Sequence, residues 1–147
     1  MNNLLGIEDE DYLDELEDKI VKHKLSLLDY RMTFNCECLD IEFLIKLHRF
    51  LFGDLYPSSS LLLRYDENYI EEINELLYDL VSAIDYQIDF SDIKDIITKL
   101  YDMQLFRDGN HRTIDAFVKM VCKYYFDDDY EKRLMSYLEG ERIKRLN

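Results

Sequence analysis

The chain has 147 residues, 48% of them hydrophobic and 34% charged, and its 32 acidic and 18 basic side chains leave a formal net charge of −14. A chain of this length and composition buries enough surface for one hydrophobic core, which excludes a disordered protein and favours a single domain. The negative charge excludes non-specific binding to nucleic acid or to an anionic membrane, because both need clustered cations.

The sequence also bears on where the protein acts. No apolar run approaches the roughly 20 residues that span a bilayer. The first residues, MNNLLGIEDEDYLDE, lack the basic flank and the apolar stretch of a signal peptide. We therefore expect a cytoplasmic protein, with export by a route that needs no cleaved leader as the open alternative.

Apolar residues at helical spacing predict three helices in the first half of the chain. The first carries a stripe from Leu13 to Leu27 and opens at the acidic run 8–11, which suits the positive end of a helix dipole. The second begins after Asp40, a good N-cap residue, and ends at Gly53. The third carries a stripe over residues 70–84.

Three more helices are predicted in the second half. The fourth is capped by Ser91, and the fifth starts after Gly109. The last covers 130–143 and follows the acidic run 127–129, which we interpret as its solvated start and not as a metal site. No strand-like alternation is long enough to predict a sheet.

The expected fold class is therefore all-α, with about six helices in one domain over residues 1–147. Within it we expect an N-terminal helix in 1–32, a helical core over 39–126 and a C-terminal helix in 129–147. The connection 54–66, with the single proline and a run of serines, is predicted to be a loop.

The segment QLFRDGNHR at 104–112, between the fourth and fifth helices, is not typical of a helix bundle. Gly109 allows a tight turn and the close approach of a ligand, and the N–H groups after it, with the helix dipole, form an anion-binding nest. Arg112 offers a bidentate fork to a phosphate, and Asp108 offers a carboxylate to a bridging divalent cation. The alternative, which this segment alone favours, is an ordinary helix start with an Asp-Gly-Asn turn.

A second segment changes that balance. It is LHRFLFGDLYP at 47–57, which joins the second helix to the loop. Together the two segments resemble the Fic (Fic/Doc, or Fido) family, whose members carry LHRxLFGDxYPxAG followed by HPFxDGNxRxxR. The resemblance covers nearly the whole chain, with the motifs in the family's order.

The resemblance implies a small all-α enzyme that transfers AMP from ATP to a hydroxyl of a target protein, or phosphorylates it, as Doc-like members do. It implies ATP and Mg²⁺ as cofactors and a target or regulatory protein as partner. By the motif, Asp108 would bind Mg²⁺ and Arg112 would hold the phosphates. Gly109 and Asn110 would form the anion-binding turn. His111 stands where Doc-like members carry a lysine and would contact a phosphate.

Three departures from the family pattern put activity in doubt. Gln104 stands where the family has the histidine that acts as general base, and a carboxamide accepts no proton near neutral pH. Asp115 stands in place of the second arginine of most AMP-transferring members, where a carboxylate would repel a triphosphate. The target-binding flap, expected within 58–66, looks drastically shortened.

Two residues have alternative interpretations. His111 is either a displaced base or, the favoured interpretation, a surface or phosphate-contacting histidine. Glu139 lies in SYLEG, one residue short of the family's inhibitory pattern S/T-x-x-x-E-G/N. It is either a remnant of that element or, as favoured, a solvent-facing side chain beside a glycine that ends a turn.

Three hypotheses follow. The first is a Fic-like protein that is catalytically impaired or inactive and keeps a loop that binds phosphate or nucleotide. The second is an active Fic/Doc-like transferase that moves AMP or phosphate to a target-protein hydroxyl. The third is a protein-interaction module that needs no nucleotide. The oligomeric state is not predicted.

Overall fold

A computed structural model describes residues 3–28, 38–57, 67–86 and 89–146 of the chain. Within these ranges the chain forms six α-helices and no β-strand, which confirms the all-α expectation. The helices are α1 (Glu10–Leu28), α2 (Ile41–Phe52), α3 (Glu67–Asp85), α4 (Phe90–Met103), α5 (Asn110–Tyr125) and α6 (Asp128–Leu146).

The helices α2 and α5 form the centre of the core. Leu47 and Leu51 of α2 are fully buried, as are Phe117 and Val118 of α5. Phe43 of α2 meets Phe117 edge to face, with ring centroids 5.8 Å apart, a favoured geometry for two aromatic rings. The helices that carry the two sequence motifs therefore pack directly on one another.

The other four helices surround this pair. Each contributes to the core at least one side chain that is almost completely buried: Val21 of α1, Leu77 of α3, Ile97 of α4 and Leu134 of α6. α1 also lies against α2, α3 lies against α4, and α6 lies against α5. As a result α1 and α5 both lie on α2, which brings α1 near the turn that precedes α5.

The helix starts agree with the sequence at α2 and differ at α4. The Asp40 side chain accepts a hydrogen bond from the Phe43 N–H, as an N-cap residue does. The prediction that Ser91 caps the fourth helix is wrong, because that helix begins at Phe90 with Asp89 as its preceding residue. Asp89 makes no capping bond from its side chain, but its carbonyl accepts the N–H groups of Asp92 and Ile93.

The last helix starts where the acidic run predicts. The Asp127 carboxylate accepts the Tyr130 N–H at 2.8 Å, which caps α6. The expectation that Gly140 ends a turn is wrong, because α6 continues through Gly140 to Leu146. The predicted flap segment, 58–66, lies outside the described residues.

Within the described parts of the chain, no helix combines the length and the apolar character needed to cross a bilayer.

Candidate functional site

The turn between α4 and α5 carries most of the residues that the sequence singles out. α4 ends at Met103, and Gln104 follows with a left-handed backbone (φ 48°). Leu105 and Phe106 then enter the core, each at most 4% exposed. Gly109 (φ 73°) immediately precedes α5. The turn is therefore anchored by two apolar side chains before it reaches the start of the helix.

The Asn110 side chain closes this turn on itself. Its Oδ1 accepts the Phe106 N–H at 2.7 Å, and its Nδ2 donates to the Phe106 carbonyl at 2.5 Å. Both ends of the carboxamide are thus used by one residue of the loop. Only the backbone N–H of Asn110 is therefore left for the anion-binding role expected of this residue. Its side chain holds the shape of the loop.

The carbonyls of Asp108 and Gly109 are also held by the protein. The Asp108 carbonyl lies 2.9 Å from Nε2 of His48 on α2. The Gly109 carbonyl accepts the N–H of Thr113 at 3.1 Å and its hydroxyl at 2.8 Å. In a trans peptide the N–H points away from the carbonyl. The N–H groups of Gly109 and Asn110 are accordingly directed away from these anchors, and the Gly109 N–H is bonded to Asp108 Oδ1.

Gly109 is needed at this turn for steric as well as conformational reasons. A Cβ atom there would lie 2.6 Å from Cε2 of Phe52, which is a buried residue of α2. Its positive φ also disfavours any residue with a Cβ. Because Gly109 brings no side chain, α5 has no side-chain N-cap, and the first N–H groups of the helix have no intrahelical carbonyl to bond.

Arg112 is bound to α1. Its Nη1 lies 3.3 Å from Oε1 of Glu17, and its Nη2 lies 3.0 Å from Oδ1 of Asp18. Glu17 also accepts a 2.5 Å hydrogen bond from the Tyr56 hydroxyl. Burial and this hydrogen bond raise the pKa of Tyr56 above its ordinary value, so the phenol stays a donor. The guanidinium expected on phosphates thus already holds carboxylates of the same chain.

Asp108 is the carboxylate that the resemblance assigns to Mg²⁺. Its side chain is exposed, and Oδ1 accepts the Gly109 N–H at 3.0 Å. No group of three or more His, Cys, Asp or Glu side chains in the described ranges is arranged to hold a metal ion. Mg²⁺ usually binds through one or two carboxylates plus phosphate and water oxygens. A single accessible carboxylate therefore fits Mg²⁺ that arrives with a nucleotide.

The side chains of Asp115 and His111 are both engaged with α4. The Tyr101 hydroxyl donates a hydrogen bond to Asp115 Oδ1. The His111 ring lies against the Tyr101 ring, with centroids 5.0 Å apart. The Tyr101 hydroxyl therefore stabilises the negative charge of Asp115, which the sequence places near the expected phosphate site. The two proposed roles of His111 stay predictions.

The two remaining predicted site residues contribute no N–H group to the start of α5, whose first N–H groups form the candidate phosphate cradle. Gln104 is exposed at the end of α4, where its left-handed backbone ends the helix. Glu139 is exposed on α6, while the carboxylates paired with Arg112 come from α1. The inhibitory role of Glu139 stays a prediction.

Sequence reasoning missed the parts of the site that come from α1 and α2. Glu17 and Asp18 pair with Arg112, and Tyr56 donates to Glu17. His48 holds the Asp108 carbonyl. Glu17 and Asp18 stand in an acidic helix with many equivalent neighbours, so no sequence signal separates them. His48 lies inside the recognised LHR segment, where the sequence indicates a structural residue but not its contact with Asp108.

Comparison with known proteins relates the chain to others by structure alone. No protein-family model matches the chain, and no curated protein has a matching sequence. A crystal structure of BepC, a VirB-translocated effector protein of Bartonella tribocorum with bound AMPPNP, shares the fold with a TM-score of 0.68. The two are 16% identical, and the match covers 85% of this chain and 73% of BepC. The Fic-like fold implied by the resemblance is therefore supported.

Proposed function

We propose that this protein is a Fic-like domain that binds the phosphates of a nucleotide at the start of α5 and is impaired in AMP transfer. The observation that carries the proposal is the turn at 106–110. The carbonyls of Phe106, Asp108 and Gly109 are held by Asn110, His48 and Thr113, so the N–H groups of Gly109 and Asn110 are directed the other way, where Asp108 Oδ1 accepts the first of them. The shared fold with BepC, whose crystal structure holds AMPPNP, supports a nucleotide as the ligand.

The proposed roles follow from the chemistry of each group. A phosphate oxygen replaces Asp108 Oδ1 as the acceptor of the Gly109 N–H, and the Asn110 N–H and the positive end of α5 bind the same anion. Arg112 adds a charged fork to the same anion. Asp108 holds Mg²⁺, which when bound neutralises phosphate charge and orients the phosphate chain.

The proposed impairment comes from Gln104. A general base typically contributes 10²–10⁴-fold to the rate of such a transfer. A carboxamide cannot take the proton of a target hydroxyl near neutral pH. The chain is therefore proposed to bind nucleotide and to transfer AMP slowly or not at all.

The ion pairs of Arg112 set the expected strength of binding. A phosphate that reaches Arg112 must replace Glu17 and Asp18, and the net charge of −14 repels the same anion. Both effects weaken binding, because the free energy of the existing ion pairs has to be given up first. We expect a modest affinity that falls with the loss of any part of the cradle.

Isothermal titration with AMPPNP, with and without Mg²⁺, tests the binding. We expect heat of binding that depends on Mg²⁺ and is lost in Arg112→Ala. The matched control is Lys119→Ala, which removes an exposed cation from the same helix seven positions after Arg112. Equal loss in both variants, or no binding in the natural chain, would reject the proposal. Incubation with labelled ATP tests the impairment, and strong labelling of a protein that needs Arg112 would overturn it.

One observation favours a second candidate, the nucleotide-independent interaction module. The Arg112 guanidinium is held by two carboxylates, as in a structural ion pair. If the module is the true function, the natural chain binds no AMPPNP. In that case Arg112→Ala lowers the melting temperature through lost contacts with α1 and changes nothing else.

A further inference from the structure

His48 is a buried histidine outside the motif that carries the proposed site. It lies on α2 and is only 3% exposed. Its ring stacks on Phe106, with centroids 3.9 Å apart and planes 5° from parallel. Its Nε2 lies 2.9 Å from the Asp108 carbonyl oxygen. One side chain of α2 therefore contacts two residues, Phe106 and Asp108, of the turn between α4 and α5.

The protonation state of the ring follows from its partner. A carbonyl oxygen only accepts a hydrogen bond, so Nε2 must carry the proton. Nδ1 is buried and has no hydrogen-bond partner in the described structure. Burial also lowers the pKa of His48, the hydrogen bond to Asp108 having a smaller, opposite effect. The ring is therefore neutral, with its one N–H directed at Asp108.

A histidine that only fills space in the core would not need a hydrogen bond to the carbonyl of Asp108. The peptide that His48 holds is the one that leads into Gly109, and its carbonyl direction decides where the Gly109 N–H points. Phe52, one turn further along α2, contacts Gly109 itself. The same face of α2 thus sets the position of the turn and the direction of its peptide.

We propose that His48 is a positioning residue of the phosphate cradle: its Nε2–H holds the Asp108 carbonyl inward and so directs the Gly109 N–H outward, where Asp108 Oδ1 accepts it until a phosphate oxygen takes that place. The expected effect of His48 on nucleotide binding rests on the proposed function. The effect of His48 on the direction of the Gly109 N–H does not, and it can be measured without a nucleotide.

Two variants separate the hydrogen bond from the packing. His48→Phe keeps a flat ring over Phe106 and removes the donor. His48→Gln removes the ring and keeps an N–H donor at the reach of Nε2. We expect His48→Phe to weaken AMPPNP binding in the presence of Mg²⁺ about tenfold, the scale of one hydrogen bond, and His48→Gln to recover most of that loss. Equal loss in both variants would make His48 a packing residue and overturn the proposal.

A second measurement needs no nucleotide. Backbone amide NMR signals of Gly109 and Asn110 should shift, and their hydrogen exchange should change, in His48→Phe but much less in His48→Gln. Signals from Leu134, in α6, should stay in place in both and show that the fold is kept. Unchanged Gly109 and Asn110 signals in His48→Phe would overturn the proposal. If the natural chain binds no nucleotide, the proposed function fails, while these amide signals still decide the role of His48.

A third measurement covers the case in which the variants do not fold. Nitrogen-15 labelling of the histidines in the natural chain reports which ring nitrogen carries the proton. We expect the buried histidine to hold its proton on Nε2 with an unprotonated Nδ1. A proton on Nδ1, with Nε2 bare, cannot donate to the Asp108 carbonyl and would reject the proposal.

Discussion

Arg112 on α5 and Glu17 on α1 form an ion pair, with Nη1 and Oε1 3.3 Å apart. The Glu17 side chain is only 19% exposed, so water screens this pair less than an ion pair on the open surface. A carboxylate of the chain thus lies where the resemblance expects a phosphate. Under the proposed function, a phosphate competes with Glu17 for this guanidinium.

Glu17→Gln tests this competition. The substitution keeps the size of the side chain and the acceptor for Tyr56, but removes the charge that holds Arg112. We expect AMPPNP to bind several-fold more tightly, in line with the roughly 1 kcal/mol scale of a partly exposed ion pair. Glu15→Gln, an equal charge change on the exposed side of α1, is the control. An equal gain in the control would assign the effect to net charge alone.

Gly109→Ala tests the turn. A Cβ at this position meets Phe52 at 2.6 Å and has to adopt a positive φ. We expect the free energy of unfolding to fall by about 1–3 kcal/mol and AMPPNP binding to be lost, as measured by urea denaturation and calorimetry.

Gly140→Ala is the matched control for that substitution. Gly140 lies within α6, and a Cβ there has nothing within 4 Å. Alanine in a helix interior stabilises by about 0.5–1 kcal/mol relative to glycine. The two substitutions should therefore change the free energy of unfolding in opposite directions. A loss of stability at both positions would contradict the steric account of Gly109.

Asn110→Ala tests the clamp on the loop. The substitution leaves the Phe106 N–H and carbonyl without the partners that Asn110 supplies. Each polar group left unsatisfied costs about 1–3 kcal/mol when buried, so we expect a melting temperature several degrees lower. Asn110→Asp keeps the acceptor for the N–H but sets an oxygen against the Phe106 carbonyl in place of the Nδ2 donor, so it should not recover the loss. An unchanged melting temperature in Asn110→Ala would show that the clamp contributes nothing to stability.

The buried His48 predicts a dependence of stability on pH. Its pKa in the folded protein is below the ordinary 6.5, so the unfolded chain binds more protons between those two pKa values. The free energy of unfolding should therefore fall as the pH drops below 6.5, by at most about 1.4 kcal/mol per pH unit from this one group. Urea denaturation at pH 7.5 and pH 5.5 measures it. His48→Phe should remove this part of the slope, and an identical slope in both chains would disprove the assignment.

Gln104→His tests whether the loss of the base explains the proposed impairment. An imidazole at this position restores a group that accepts a proton near neutral pH. We expect labelling of the protein with AMP from labelled ATP, absent or far slower in the natural chain, and removed again by adding Arg112→Ala. A Gln104→His chain that binds nucleotide but labels nothing would place the defect elsewhere, with the Asp115–Tyr101 pair as the next candidate.

The sequence predicted the helices well because their causes are local. The apolar stripes, the Asp40 cap and the Gly53 stop each act within a few residues. The misplaced cap at Ser91 and the turn assigned to Gly140 show the limit of the same reasoning. Both residues are common at helix ends, but the packing of α4 and α6 sets where those helices start and stop.

Sequence alone determined that this chain is an acidic all-α protein with an Asp-Gly-Asn turn at a helix start, since spacing and backbone freedom are properties of neighbouring residues. Only the tertiary structure decided what surrounds that turn. Arg112 meets a carboxylate 95 positions earlier in the chain, and His48 meets a carbonyl 60 positions later. Such pairs depend on how α1, α2 and α5 pack, and no local pattern encodes which of many acidic side chains will face one arginine.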